Sequence, residues 1–138
     1  MTGERDGEWD RLIVVDAANV VGSRPDGWWR DRPGAARKLL DKLTTLNERL
    51  AEPAEVVVIL EGAARRAMDD APDLGDLRVV LAGGSGDDTI VDVVKAAADD
   101  NPERTITVVT ADRGLRDRIE AHGAGSVGPR WLWDHLDQ

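Results

Sequence analysis

Leu12-Ile13-Val14-Val15-Asp16-Ala17-Ala18-Asn19-Val20-Val21-Gly22 carries the first strong pattern in the chain: an apolar, largely β-branched run that ends in an acid. Leu12 to Asp16 reads as a buried strand, bounded by a polar segment before it and by Asn19 to Gly22 after it. Val56 to Leu60 (VVVIL) repeats the motif and suits a central parallel strand covered on both faces. Between them, Leu39, Leu40, Leu43, Leu46 and Leu50 recur at three- and four-residue spacings, so Gly34 to Leu50 is expected as one helix. Further along, the pattern predicts a short helix at Ala63 to Asp70 and a third strand at Leu77 to Leu81. The Gly83-Gly84-Ser85-Gly86 turn and a helix from Asp87 to Asp99 come next. A fourth strand at Thr105 to Thr110 and a helix at Arg113 to His122 follow. A weak strand at Gly125 to Val127 then leads into a last helix, with Pro129 in its first turn. Alternation of this kind implies an α/β fold, three layers α/β/α, with a mainly parallel central sheet of four to five strands. Residues 1–138 are expected to form one domain, with 1–9 frayed.

Composition narrows the chemistry. The chain has 138 residues, 41% of them apolar and 33% charged, and no run approaches the ~20 apolar residues of a membrane span. Its polar, acidic start does not resemble a secretory signal, so a cytoplasmic location and no membrane partner are expected. With no cysteine, a disulfide scaffold, a zinc ribbon and a thiol nucleophile are all excluded. Two histidines, His122 and His135, make a histidine-based metal cluster a poor candidate. Chemistry must therefore rest on carboxylates, of which there are 27 against 18 basic residues, for a net charge of −9. Such a protein repels nucleic acid unless a basic patch or a cation intervenes.

In open α/β sheets, sites form beyond the carboxyl ends of the strands. Asp16 follows the first strand, Glu61 the second, Asp87 and Asp88 the third, and Asp112 the fourth. One such acid can simply cap a helix, as Asp87 could. Acids at four strand ends along one edge repel one another, and a divalent cation among them would resolve the conflict. With oxygen donors only, that cation is Mg²⁺ or Mn²⁺. Asn19, three residues after Asp16, is either a turn residue or a support for the acid.

VVDAANVVG at 14–22 resembles the D-x-x-N opening of NYN domains, the branch of the PIN-like nuclease superfamily that includes the YacP-like proteins. Gly86-Asp87-Asp88-Thr89-Ile90-Val91 resembles the acid-x-x-Ile segment that starts a late helix in those families, and Thr110-Ala111-Asp112 their T-x-D. The resemblance implies a metal-dependent ribonuclease with Asp16, Asp87 and Asp112 as metal-binding acids and Asn19 as the family's asparagine. The three acids so implied are expected to converge within about one coordination sphere, or one water beyond it. Glu61, Asp88 and Asp117 all stand as options for a fourth acid. Ala17 stands where glycine is common among NYN proteins.

Gly22 to Pro33 (GSRPDGWWRDRP) looks like an insert between the first strand and its helix. Residues 24–38 hold five basic side chains, Arg24, Arg30, Arg32, Arg37 and Lys38, against Asp26 and Asp31. Trp28 and Trp29 lie among them, and arginines interleaved with aromatics can grip phosphates and stack unpaired bases. Arg24, Trp28, Trp29, Arg30 and Arg32 are therefore the candidate contacts to RNA, single-stranded or structured. In the competing reading, one tryptophan anchors the loop and the arginines pair with nearby acids. Receiver domains, haloacid-dehalogenase-like phosphatases and phosphate loops each lack a required residue here; position 18, for instance, is Ala where D-x-D is needed. Two other functions stay open: a non-catalytic RNA-binding or assembly module, and hydrolysis of a small nucleotide. A homodimer is likewise left open.

Overall fold

The computed structural model describes residues 10–137; the expected frayed start at 1–9 lies outside them. Five parallel strands form one sheet in the order β3-β2-β1-β4-β5, with β1 Arg11–Asp16, β2 Glu55–Leu60, β3 Arg78–Leu81, β4 Thr105–Val109 and β5 Gly125–Val127. Helices α1 Ala17–Gly22, α2 Arg32–Leu43, α3 Gly86–Asp100, α4 Arg113–Glu120 and α5 Pro129–Leu136 complete the layers. Alternate residues of β1 explain the arrangement. Ile13 and Val15 pack with Val20 of α1, Leu39, Leu40 and Leu43 of α2, and Leu132 of α5. Leu12 and Val14 face the other way, onto Ile90 and Val94 of α3 and Leu115 and Ile119 of α4. Apolar side chains on both faces give the uninterrupted hydrophobic runs seen in the sequence.

Three elements depart from the sequence reading. The segment after Asp16 is a helix, α1, rather than a turn. The helix expected over 34–50 stops at Leu43, because consecutive threonines turn their hydroxyls onto the backbone. Thr44 Oγ1 donates to the Asp41 carbonyl at 2.6 Å and Thr45 Oγ1 to that of Lys42 at 2.9 Å, which competes with continued helix. Leu46 stays buried on a short 3₁₀ stretch, Leu46–Arg49. The segment after β2 is likewise 3₁₀, Gly62–Met68, in place of an α-helix. Trp131 and Trp133 pack against the core as the C-terminal helix requires. Trp133 Nε1 donates to Ser23 Oγ at 3.0 Å, tying α5 to the end of α1. Among the described residues no helix is long and apolar enough to cross a membrane.

Candidate active site

The chain runs from β1 outward to β2 and β3, then crosses back to place β4 on the other side of β1. That reversal makes the carboxyl ends of β1 and β4 the sheet's switch point, the usual ligand position in such sheets. Asp16 closes β1, and Thr110, Ala111 and Asp112 follow β4 directly.

Asp16 is only 5% exposed. Its Oδ2 accepts from Thr110 Oγ1 at 2.9 Å, and its Oδ1 from the Asn19 N–H at 3.4 Å, which caps α1. Burial first, with smaller contributions from the charges of Asp87 and Glu61, raises its pKa to about 6 against the pull of those two hydrogen bonds. At neutral pH it is mostly ionised, so the fold holds a costly buried charge. Thr110, itself buried, also accepts from the Asp112 N–H at 3.2 Å. Asn19 Oδ1 accepts from the Ala111 N–H at 2.8 Å and so ties α1 to the loop after β4. These two residues fasten the ends of β1 and β4 together.

Asp112 caps α4, its Oδ1 accepting from the Leu115 N–H at 3.0 Å. Asp87 is not a cap: Ser85 has that place, its Oγ accepting from the Asp88 N–H at 3.4 Å. Half-buried Asp87 has its pKa raised by burial, then by Asp112, Glu61 and Asp88, with Arg118 opposing. Glu61 Oε2 accepts from the Gly86 N–H at 2.8 Å. A Cβ at position 86 would lie 2.9 Å from Glu61 Cδ, so glycine is what lets this carboxylate rest on the first turn of α3. Asp88 is exposed and paired with Arg118 at 2.9 Å, and Asp117 is exposed on α4. Of the three options for a fourth acid, Glu61 is the one whose charge acts on both Asp16 and Asp87.

Asp16, Asp87 and Asp112 do not meet within one coordination sphere, the tighter of the two arrangements expected for them. Among the described residues no three carboxylates close into a group that could hold a metal ion. Both oxygens of Asp16, Oδ1 of Asp112 and Oε2 of Glu61 accept from the protein, and Asp88 faces Arg118. The donor chemistry nonetheless suits a hard cation. All donors are oxygens, and Mg²⁺ commonly keeps several waters while binding through one or two carboxylates. Burial is the main cause of the raised pKa values at Asp16 and Asp87, and the neighbouring carboxylates add a smaller repulsion that a hydrated ion would relieve.

The tryptophan–arginine loop divides its labour. Gly27, at φ +83°, starts a 3₁₀ turn, Trp28–Arg30, in a conformation that favours glycine. Trp28 is half-buried, with its Cζ2 3.7 Å from where a Gly22 Cβ would stand, whereas Trp29 is 52% exposed. The two rings meet edge-on, centroids 5.9 Å apart. The Arg32 guanidinium lies 5.1 Å from the Trp28 ring and that of Arg30 5.8 Å from Trp29. Arg24 is drawn elsewhere: it pairs with Asp137 and lies over the Trp133 ring at 3.8 Å. Arg37 pairs with Asp70 at 3.0 Å.

Thr110 and Gly86 were not assigned roles from the sequence, although a hydroxyl two residues before Asp112 and a glycine directly before Asp87 are the visible signals. Thr110→Val should raise the Asp16 pKa above about 6, since it removes a hydrogen bond that holds the carboxylate. It should also cost roughly 1–3 kcal/mol by stranding the Asp112 N–H. A ¹³C-carboxyl NMR titration reads the first effect; an unmoved Asp16 would mean the hydroxyl does not hold it.

No family model matches the chain, and no curated protein does. Two crystal structures of Rae1 (YacP) from Bacillus subtilis share its fold. One, of a mutant, superposes with a TM-score of 0.70 at 20% identity, over 91% of this chain and 74% of that one. The other superposes with a TM-score of 0.72 at 17% identity, over 91% and 73%. The YacP-like proteins are the branch whose motifs the sequence resembles, and the likeness at these identities is one of fold.

Proposed function

We propose that this protein is a metal-dependent ribonuclease that hydrolyses RNA phosphodiesters at the carboxyl edge of its sheet. The observation that carries the reading is Asp16, a carboxylate only 5% exposed at the end of β1, bound by Thr110 and the Asn19 N–H and repelled by the charges of Asp87 and Glu61. A buried charge of this kind destabilises the fold, and its use as a cation ligand accounts for it. Asp16, Asp87 and Asp112 would hold Mg²⁺ or Mn²⁺, with Glu61 as the fourth acid. Bound there, the ion would screen the phosphodiester's charge and acidify water. The chain's own residues do the rest. Thr110 and Asn19 keep the β1 and β4 ends in register, and Gly86 seats Glu61. Arg30, Arg32, Trp28 and Trp29 offer positive charge and aromatic faces to a strand approaching from the loop, while Arg24 is engaged at the C-terminal helix. The fold shared with Rae1 (YacP) supports the reading.

The test is end-labelled RNA, single-stranded and hairpin, incubated with the wild type in Mn²⁺ or chelator and with Asp16→Asn in Mn²⁺. Cleavage is expected only with wild type and Mn²⁺, and Asp16→Asn should lose orders of magnitude in rate. RNA binding without any cleavage would favour a non-catalytic module. Cleavage of mononucleotides alone, with little salt dependence, would favour a small-nucleotide hydrolase.

A further inference from the structure

Beside the acidic edge lies a cavity of about 360 Å³, lined by Ala17, Ala18 and Val21 of α1, by Trp28 and Arg32 of the loop, and by Glu61, among others. We infer that this cavity is a subsite for one unpaired nucleobase of the RNA strand, seated against Trp28 next to the scissile phosphate. The inference rests on the ribonuclease reading above and adds to it a base pocket and its residues.

Four features argue for it. The volume falls in the range of small-ligand sites and suits one base with its sugar. The walls are complementary to a flat aromatic guest: an indole on one side, the small side chains Ala17, Ala18, Ala36 and Ala64 on others. Base stacking on an aromatic side chain tolerates any base and needs such a face. Arg32, a lining residue whose guanidinium lies over the Trp28 ring at 5.1 Å, adds a cation that can meet a phosphate, within a protein whose net charge is −9. Glu61 spans the two sites. Its Oε2 is committed to the Gly86 N–H, while the side chain both lines the cavity and acts on Asp16 and Asp87. The cavity and the acids therefore share Glu61 as a common wall. Ala18 is exposed and lines the cavity, so a larger side chain there would take up space meant for the guest.

The experiment is a cycle of anisotropy titrations with a fluorescein-labelled eight-nucleotide RNA in chelator, so that nothing is cut. A single abasic ribose is moved through the oligomer. For wild type, one abasic position should weaken binding about tenfold. Ala18→Leu should weaken the intact oligomer by a similar factor and abolish the further penalty at that position. Trp28→Ala should do the same; because Trp28 also packs over Gly22, Ala18→Leu carries the result if that variant is unfolded. Undiminished abasic penalties in a folded Ala18→Leu, or no penalty at any position in wild type, would overturn the subsite. Cleavage of the same RNA by wild type in Mn²⁺ reports separately on the ribonuclease reading: cutting without base coupling removes the subsite alone, and base coupling without cutting keeps the subsite and removes the nuclease.

Discussion

Asp16→Asn should make the metal-free protein more stable at pH 7 while nearly abolishing its activity. The sign follows from linkage. The folded pKa of Asp16 is about 6 against 3.8 for the ordinary side chain, so between those values the native state binds more protons than the unfolded one. Stability then falls as pH rises through that window, and the full penalty is present above about 6. It amounts to about 3 kcal/mol at most, or roughly 5–15 °C in melting temperature for a domain near this size. Asparagine keeps the shape, caps helices well and carries no charge. The stability difference, variant minus wild type, should be near zero at pH 4 and grow towards pH 7. Chemical denaturation of both proteins at several pH values in chelator measures it. A variant less stable than wild type at every pH would mean that Asp16 is a structural cap whose charge costs nothing.

Metal should act in the opposite direction on the wild type. At about 100 times its dissociation constant, a ligand of the native state stabilises by about 2.7 kcal/mol, again a rise of roughly 5–15 °C. Asp87 has no capping duty and sits in the field of Asp112, Glu61 and Asp88. Asp87→Asn should therefore leave the metal-free melting point unchanged or slightly higher and erase most of the Mn²⁺-induced rise. Thermal melts of both proteins, with chelator and with Mn²⁺, decide the matter. Equal rises in the two would place any bound ion away from Asp87.

The strands were legible because both faces of the sheet are covered, which leaves runs such as Val56 to Leu60 with almost no polar interruption. The end of α2 was not legible, since Leu46 continues the apolar spacing and only the hydroxyl contacts of Thr44 and Thr45 break the helix. Strand order is a tertiary fact that no local pattern carries. At the site, the acids could be found because each follows a strand. How many of their oxygens remain free could not, because that depends on Thr110 reaching Asp16 from 94 residues away and on Gly86 meeting Glu61 across two loops. In the loop, charge and aromatic content were visible, but Trp28 and Trp29 are neighbours with opposite exposure, a difference set by Gly27 and Gly22.

Paramagnetic broadening by substoichiometric Mn²⁺ reports whether a cation sits among these acids. In a ¹⁵N-labelled sample, the amides of Ala17, Gly86, Asp87 and Asp112 should broaden first in the wild type, and Asp87→Asn should abolish the effect. Broadening centred on exposed acid pairs such as Asp69 and Asp70, or spread evenly over the surface and unchanged by Asp87→Asn, would contradict the account.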